Sequence, residues 1–211
     1  MEVSLMVGSA ANERLMLHAR QQIIRSRNAL LQRGVSLIEI LVTLAIAGIL
    51  SSLAVPSFKS TILDNRLNSQ ISSLMSHVNR ARSEAIKRNV RVTLCKSPDG
   101  ATCTKTGNWN QGWIVFVESS NENGRRDAGE TILQTHGPLK GNNTMTVTGN
   151  ISDYISFVGN GFSRTASGAI QTGSIALCDG RKDDSKARAI QVSATGRSQT
   201  SRVSELGLSC S

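Results

Sequence analysis

Residues 35 to 55 read VSLIEILVTLAIAGILSSLAV, and Glu39 is the only ionisable side chain among them. A membrane-crossing helix needs about 20 predominantly apolar residues, and this run is long enough. Arg20, Arg25, Arg27 and Arg33 stand in front of it with no acid nearby. Such a bias keeps the N-terminal side in the cytoplasm and sends the rest of the chain across. The run exceeds the core of an ordinary secretory signal, roughly 7–15 residues. Pro56, Ser57 and Phe58 follow it where a small-x-small cleavage site would stand. A simple anchor leaves Glu39 unexplained. A carboxylate in the bilayer costs about 2.5–3.5 kcal/mol on insertion scales, so Glu39 needs either a partner or a place at the interface.

Beyond Pro56 apolar residues recur at Phe58, Ile62, Leu63, Leu67, Ile71, Leu74, Met75, Val78, Ala81, Ala85 and Ile86. Steps of three and four mark an amphipathic helix. The opposite face carries Lys59, Asp64, Arg66, Asn68, Arg80 and Lys87. One helix is therefore expected from about Ser36 to about Arg88, roughly 80 Å at 1.5 Å per residue. It is apolar all round in its first half and striped in its second. The basic run Arg80, Arg82, Lys87, Arg88 and Arg91 reads as a solvated helix end favoured by the dipole, with contact to an acidic neighbour as the alternative.

From residue 90 the pattern alternates. Strands are expected at 90–95, 112–118, 131–135, 145–148, 154–158, 174–178 and 189–193, separated by Gly, Asn, Ser and Asp clusters. The fold class is α+β: a long N-terminal helix packed on a C-terminal antiparallel sheet or small sandwich. The expected segments are a basic leader 1–34, an apolar helix 35–56, an amphipathic helix 57–89 and a β-rich head 90–211. Cys95, Cys103, Cys178 and Cys210 all lie on the exported side, where disulfides persist. Four cysteines allow three pairings. Cys95 and Cys103 bracket a Pro-Asp-Gly turn, which favours a local bridge and leaves Cys178 for Cys210. No histidine or spacing supports a catalytic dithiol.

Arg33-Gly34-Val35-Ser36-Leu37-Ile38-Glu39, followed by the apolar helix, resembles the class III signal of type IV pilins and type II secretion pseudopilins. The resemblance implies cleavage between Gly34 and Val35 by a prepilin peptidase, methylation of the new amino terminus at Val35, insertion in the inner membrane, and assembly with other pilins or pseudopilins. The head would then be periplasmic. Glu39 becomes the fifth residue of the mature chain and Pro56 the twenty-second, where pilins commonly kink the helix. Glu39 of one subunit would pair with the Val35 amine of a neighbour, because an unpaired buried charge is strongly disfavoured. Val35 departs from the phenylalanine or methionine usual at the first mature position. The 34-residue leader is long, and a start at Met16 gives one of 19 residues.

A second resemblance lies in the head. Val92-Thr93-Leu94-Cys95, Cys103, Trp109-x-x-Gly112-Trp113, Phe116, Asn123-Gly124-x-x-Asp127-x-Gly129-Glu130-x-Ile132 and Ser193-x-Thr195-Gly196-Arg197 before Cys210 are similar to the GspH/FimT family of minor pseudopilins. This implies a minor subunit of a type IV pilus that primes or joins the filament, with a pseudopilin of type II secretion as the alternative.

Other signals are weaker. Ser119 to Glu130 matches the spacing of a calcium loop at five positions, but Ser119 stands where Asp belongs and the flanks are strand-like, so a polar hairpin loop is expected and no metal is assigned. No nucleophile elbow or acid–base constellation is present, and no catalytic residue or cofactor is assigned. Seven aromatics in 211 residues do not make a stacking platform for single strands. The net charge is +9; without residues 1–34 the remaining 19 basic and 13 acidic residues leave +6. Arg188, Arg197 and Arg202 are the candidate contacts if the cationic C-terminal region binds DNA phosphates. The region resembles the Gly-Arg-x-Arg tail that some FimT-type pilins use for DNA uptake, but Gly196-Arg197-Ser198-Gln199 lacks the second arginine, and Asp179, Asp183 and Asp184 dilute the charge.

Overall fold

The computed structural model describes residues 34–119 and 121–210; the side chains of 53–56 fall outside the description. The leader and its start therefore lie outside the described residues. Packing divides the chain into a unit ending at Pro56 and a second unit from Ser57 onward.

Helix α1 is Leu37–Arg88. It starts where the Ser36 carbonyl accepts the amides of Glu39 and Ile40 at 3.0 and 3.2 Å. It ends in a Schellman cap. Asn89 takes the left-handed conformation at φ 53°; its amide bonds the Ile86 carbonyl, and the Val90 amide bonds Ala85. Asparagine tolerates that conformation better than most residues. Lys87 and Arg88 in the last turn complement the helix dipole.

The head contains two four-stranded antiparallel sheets. The first has the order β3-β2-β1-β5, from β1 (Val92–Lys96), β2 (Trp113–Val117), β3 (Ile132–His136) and β5 (Tyr154–Phe157). The second has the order β4-β6-β7-β8, from β4 (Thr144–Gly149), β6 (Gly173–Cys178), β7 (Arg188–Val192) and β8 (Ser198–Arg202). Seven strands fall within about two residues of the sequence expectation. The eighth, β8, was not expected. Its residues SQTSR contain no apolar side chain and are mostly exposed, so it has no hydrophobic alternation, and pairing with β7 alone makes it a strand.

Alternation then sorts each strand. Leu67, Ile71, Leu74, Val78, Ala81 and Ala85 of α1 join one core with Val92, Leu94, Trp113, Val115, Ile155 and Phe157 of the first sheet and Met145, Ile175, Leu177, Ile190 and Val192 of the second. The side chains of opposite parity build two smaller clusters. Cys95, Ile114 and Phe116 pack with Cys103, Ile132 and Tyr154. Ala176, Cys178 and Ala189 pack with Ala187, Val203, Cys210, Leu206 and Leu208. Each sheet thus has a second apolar face, and each of those faces carries a disulfide.

Candidate functional site

Among its described residues, the first unit is a single helix whose apolar side chains are exposed. Val35, Leu37, Ile38, Ile40, Leu41, Val42, Leu44, Ile46, Ile49 and Leu50 are exposed, Leu37 to 80%. Mean hydropathy over its most apolar 18 residues reaches 2.3, long and apolar enough to cross a membrane. Two of its hydroxyls are satisfied within the helix: Thr43 Oγ1 donates to the Ile40 carbonyl at 2.9 Å, and Ser52 Oγ to Ile49 at 2.7 Å. This is what a polar side chain needs in an apolar medium. Glu39 sits in the first turn of the helix, where the dipole favours an anion. Gly34 and Val35 precede the helix and are exposed, leaving their peptide bond outside any hydrogen-bonded element. Pro56 lies inside the continuous helix; its side chain, and with it the expected kink, is outside the description.

In the head, Cys95 is bonded to Cys103 and Cys178 to Cys210, both with Cα atoms 5.7 Å apart. Asp99 organises the smaller loop: its carboxylate accepts the Ala101 and Thr102 amides and the Ser97 and Thr102 hydroxyls. These bonds stabilise the ionised carboxylate and hold its pKa well below the usual carboxylate range.

The loop with calcium-like spacing satisfies itself. Glu130 accepts the amides of Ser119 and Asp127, both at 2.9 Å. Asn123 turns its amide nitrogen toward Asp127 at 3.1 Å and its oxygen toward the Arg125 amide. The side-chain oxygens of Asn123, Asp127 and Glu130 are thus already acceptors for the chain.

The three candidate arginines do not form one patch. Arg188 and Arg202 are directly opposite on β7 and β8, and Arg188 is tied to α1 through Asn68 Oδ1 at 2.9 Å. Arg197 precedes the other end of β8, about 16 Å from Arg202 along a strand rising about 3.3 Å per residue. There it adjoins a junction that the sequence reading missed. Arg82 of α1 donates to the Gly161 carbonyl at 3.0 Å and the Thr195 carbonyl at 3.2 Å. Gly196, at φ 73°, packs so closely that a Cβ would lie 2.0 Å from the Gly161 oxygen. The glycine of the Ser-x-Thr-Gly-Arg stretch is therefore required by packing.

Two further clusters were missed. Trp113 Nε1 donates to His77 Nδ1 at 2.9 Å, and His136 stacks on Trp113 with ring centroids 4.1 Å apart and planes within 3°. The cue was the antiparallel register: Trp113 and His136 are cross-strand partners on β2 and β3. Burial, then His136 and Arg80, lowers the His77 pKa. In the other cluster, buried Arg91 donates to Ser156 Oγ and to the Arg164 and Thr165 carbonyls. Buried Thr93 donates to Glu118 at 2.5 Å, and desolvation raises the Glu118 pKa against that bond. Nothing in strand periodicity marks these residues, because each occupies a position where an outward polar side chain is expected.

Residues 70–196 match the family described as Type II transport protein GspH, and residues 30–55 match the prokaryotic N-terminal methylation motif. The chain belongs to this GspH family of pilin-like and pseudopilin proteins, whose members are structural subunits. It is 38% identical over 105 residues to pilin-like protein PilA1 of Thermus thermophilus, a match spanning 50% of this chain and 60% of that relative's length. Among solved structures, the type IV minor pilin FimU of Pseudomonas aeruginosa is similar in two crystal forms. In space group P21 the identity is 22% and the TM-score 0.49, over 66% of this chain and 91% of that one. In space group P65 the values are 21% and 0.47, over 65% and 94%.

Proposed function

We propose that the chain is a minor type IV pilin, cut between Gly34 and Val35 by a prepilin peptidase, methylated at Val35, and incorporated into a pilus or used to prime its assembly. It is a substrate of processing enzymes and not itself a catalyst. Before cleavage the helix crosses the inner membrane and the head lies in the periplasm. In the filament, Glu39 pairs with the Val35 amine of a neighbouring subunit. The observation that carries this reading is an apolar helix with exposed side chains over Leu37–Leu50 and one carboxylate, Glu39, in its first turn. Such a helix needs other helices or lipid around it, and a buried carboxylate needs a cation. The methylation-motif match at 30–55 supports the cleavage position.

Intact-mass measurement of the protein purified from membranes tests the proposal. The expected chain begins at Val35 and is one methyl group heavier than its sequence. A chain retaining Arg33 refutes it. Glu39→Ala is expected to be cleaved and folded yet poorly incorporated into filaments; normal incorporation removes the pairing role.

The family description favours a second reading, a pseudopilin of a type II secretion system. A deletion strain separates the two: loss of twitching restored by the gene supports the pilus, and loss of protein secretion supports the pseudopilus.

A further inference from the structure

The C-terminal end of α1 and two turns of the head build a surface that the proposed function does not use. Ile86 is 49% exposed and Phe162 37%, and Ile86 packs against Gly161, the residue before Phe162: a Cβ on Gly161 would lie 2.7 Å from Ile86 Cδ1. Val90, just past the cap of α1, is also exposed. Around this apolar centre stand Arg82, Arg164 and Arg197. Arg82 is fixed by its bonds to Gly161 and Thr195. The Arg164 guanidinium lies 5.7 Å above the Phe162 ring, an arrangement that orients the charge. Arg197 follows Gly196, whose backbone abuts Gly161. Segments 158–165 and 193–197 contain no acidic residue. Glu84, the one acid among residues 79–91, is already bonded to Arg88 at 2.6 Å, and Glu122, beside the Arg164 backbone, is paired with Arg91 at 3.0 Å. Exposed apolar side chains ringed by cations, held by a helix and two rigid turns, have the layout of an interface with an apolar centre and a polar rim.

We propose that this surface docks an acidic protein segment carrying apolar side chains. The apolar centre distinguishes that partner from a nucleic acid, whose phosphates would use the arginines and leave Phe162 and Ile86 without a role. The interaction belongs to the head and is independent of cleavage at Gly34.

The test uses the full chain in detergent micelles, with protein-free micelles as background, and fluorescence anisotropy of a labelled peptide containing two repeats of Asp-Asp-Phe-Asp-Asp-Leu. The comparison probes are the same peptide with serine at the apolar positions and a 12-base-pair DNA duplex. The expected result is binding at least ten-fold tighter for the apolar acidic peptide than for either comparison, weakened by added salt. Phe162→Ser is expected to weaken it at least five-fold and Arg164→Glu with Arg197→Glu at least ten-fold, while Lys105→Glu changes it less than two-fold. Should Phe162→Ser alter the near-ultraviolet circular dichroism of the head, Ile86→Ser, at an exposed helical position, reads the same quantity. No binding, equal binding of the serine peptide or the duplex, or an apolar variant that binds like wild type each overturns the proposal. The intact-mass measurement of the amino terminus reads the filament-subunit assignment separately.

Discussion

Replacing His77 with alanine removes the acceptor of a buried donor. Trp113 is fully buried, and its indole N–H has His77 Nδ1 as partner at 2.9 Å. An unsatisfied buried N–H costs about 1–3 kcal/mol. His77 is only half-buried, so the cavity contribution is small, and a loss of about 2 kcal/mol is expected. A cycle with Trp113→Phe isolates the pair, and a coupling of about 1 kcal/mol follows from the usual net worth of such a bond. Hydrogen exchange of the β1 and β2 amides in the full chain reads the opening free energy without depending on tryptophan as a probe. The pair also sets a pH dependence. His77 accepts the indole proton only when Nδ1 is unprotonated, and burial, His136 and Arg80 lower its folded pKa. The unfolded state therefore binds more protons, and stability rises with pH. The contribution is complete above the ordinary value of about 6.5 and is lost as pH falls through the lowered one. His77→Gln supplies an amide oxygen that does not titrate; it should recover part of the stability and lose the slope. A coupling below about 0.3 kcal/mol, within the usual additivity error, together with an unchanged pH slope in His77→Ala, refutes the role of the bond.

Removing Cys178–Cys210, which spans 32 residues, should cost about 1 kcal/mol more than removing Cys95–Cys103, which spans 8, because chain entropy rises with loop length; paired Cys→Ala variants compared by urea midpoint check this, and the reverse order contradicts it. Gly196→Ala should destabilise the head by about 1–3 kcal/mol, since its φ is 73° and the new methyl would lie 2.0 Å from the Gly161 oxygen; a neutral effect in thermal unfolding shows the turn shifts freely. Glu118→Gln should act opposite in pH to His77. The raised Glu118 pKa means that the folded state holds the proton longer, so wild-type stability falls as pH rises from the ordinary carboxylate value through the raised one. The glutamine variant should flatten that fall, and an identical profile would show that Glu118 does not carry it.

The helix was legible because Leu67 to Ala85 repeat at three and four, and because the pattern changes at Asn89, where the backbone turns left-handed. Inward-facing strands were legible from alternation of Val92 with Leu94 and of Ile175 with Leu177. β8 was not, since an edge strand with polar residues on both sides carries no period-two signal. The cationic region was legible as a charge count and not as a place. Arg188, Arg197 and Arg202 are close in sequence, yet Cα pairing puts Arg188 beside Arg202 and Arg197 at the far end of β8. The partners of Arg82 are 79 and 113 residues away, and no local rule connects residues at that separation.

The two units solve the problem of buried polarity in opposite ways. In the head, Arg91 is only 4% exposed, but its guanidinium bonds Ser156, two carbonyls and Glu122 within the chain. Its charge is compensated before any partner arrives. In the apolar helix, Ser and Thr hydroxyls bond their own turn, while the only ionisable side chain between Val35 and Val55 is Glu39. A carboxylate surrounded by other apolar helices would be an uncompensated charge costing several kcal/mol, and the chain offers it no neighbouring cation along that run. The pairing proposed for the filament makes that compensation intermolecular. The cation nearest in sequence that cleavage at Gly34 would create is the Val35 amine, four residues from Glu39. On its own helix that amine lies about one turn away; from a neighbour it arrives only at one axial offset. An ion pair of that kind fixes register where apolar contacts alone would let helices slide, so Glu39→Val should relax subunit register even if lateral packing survives. Filaments of the variant with unchanged helical rise and unchanged subunit incorporation would show that apolar packing alone sets the offset.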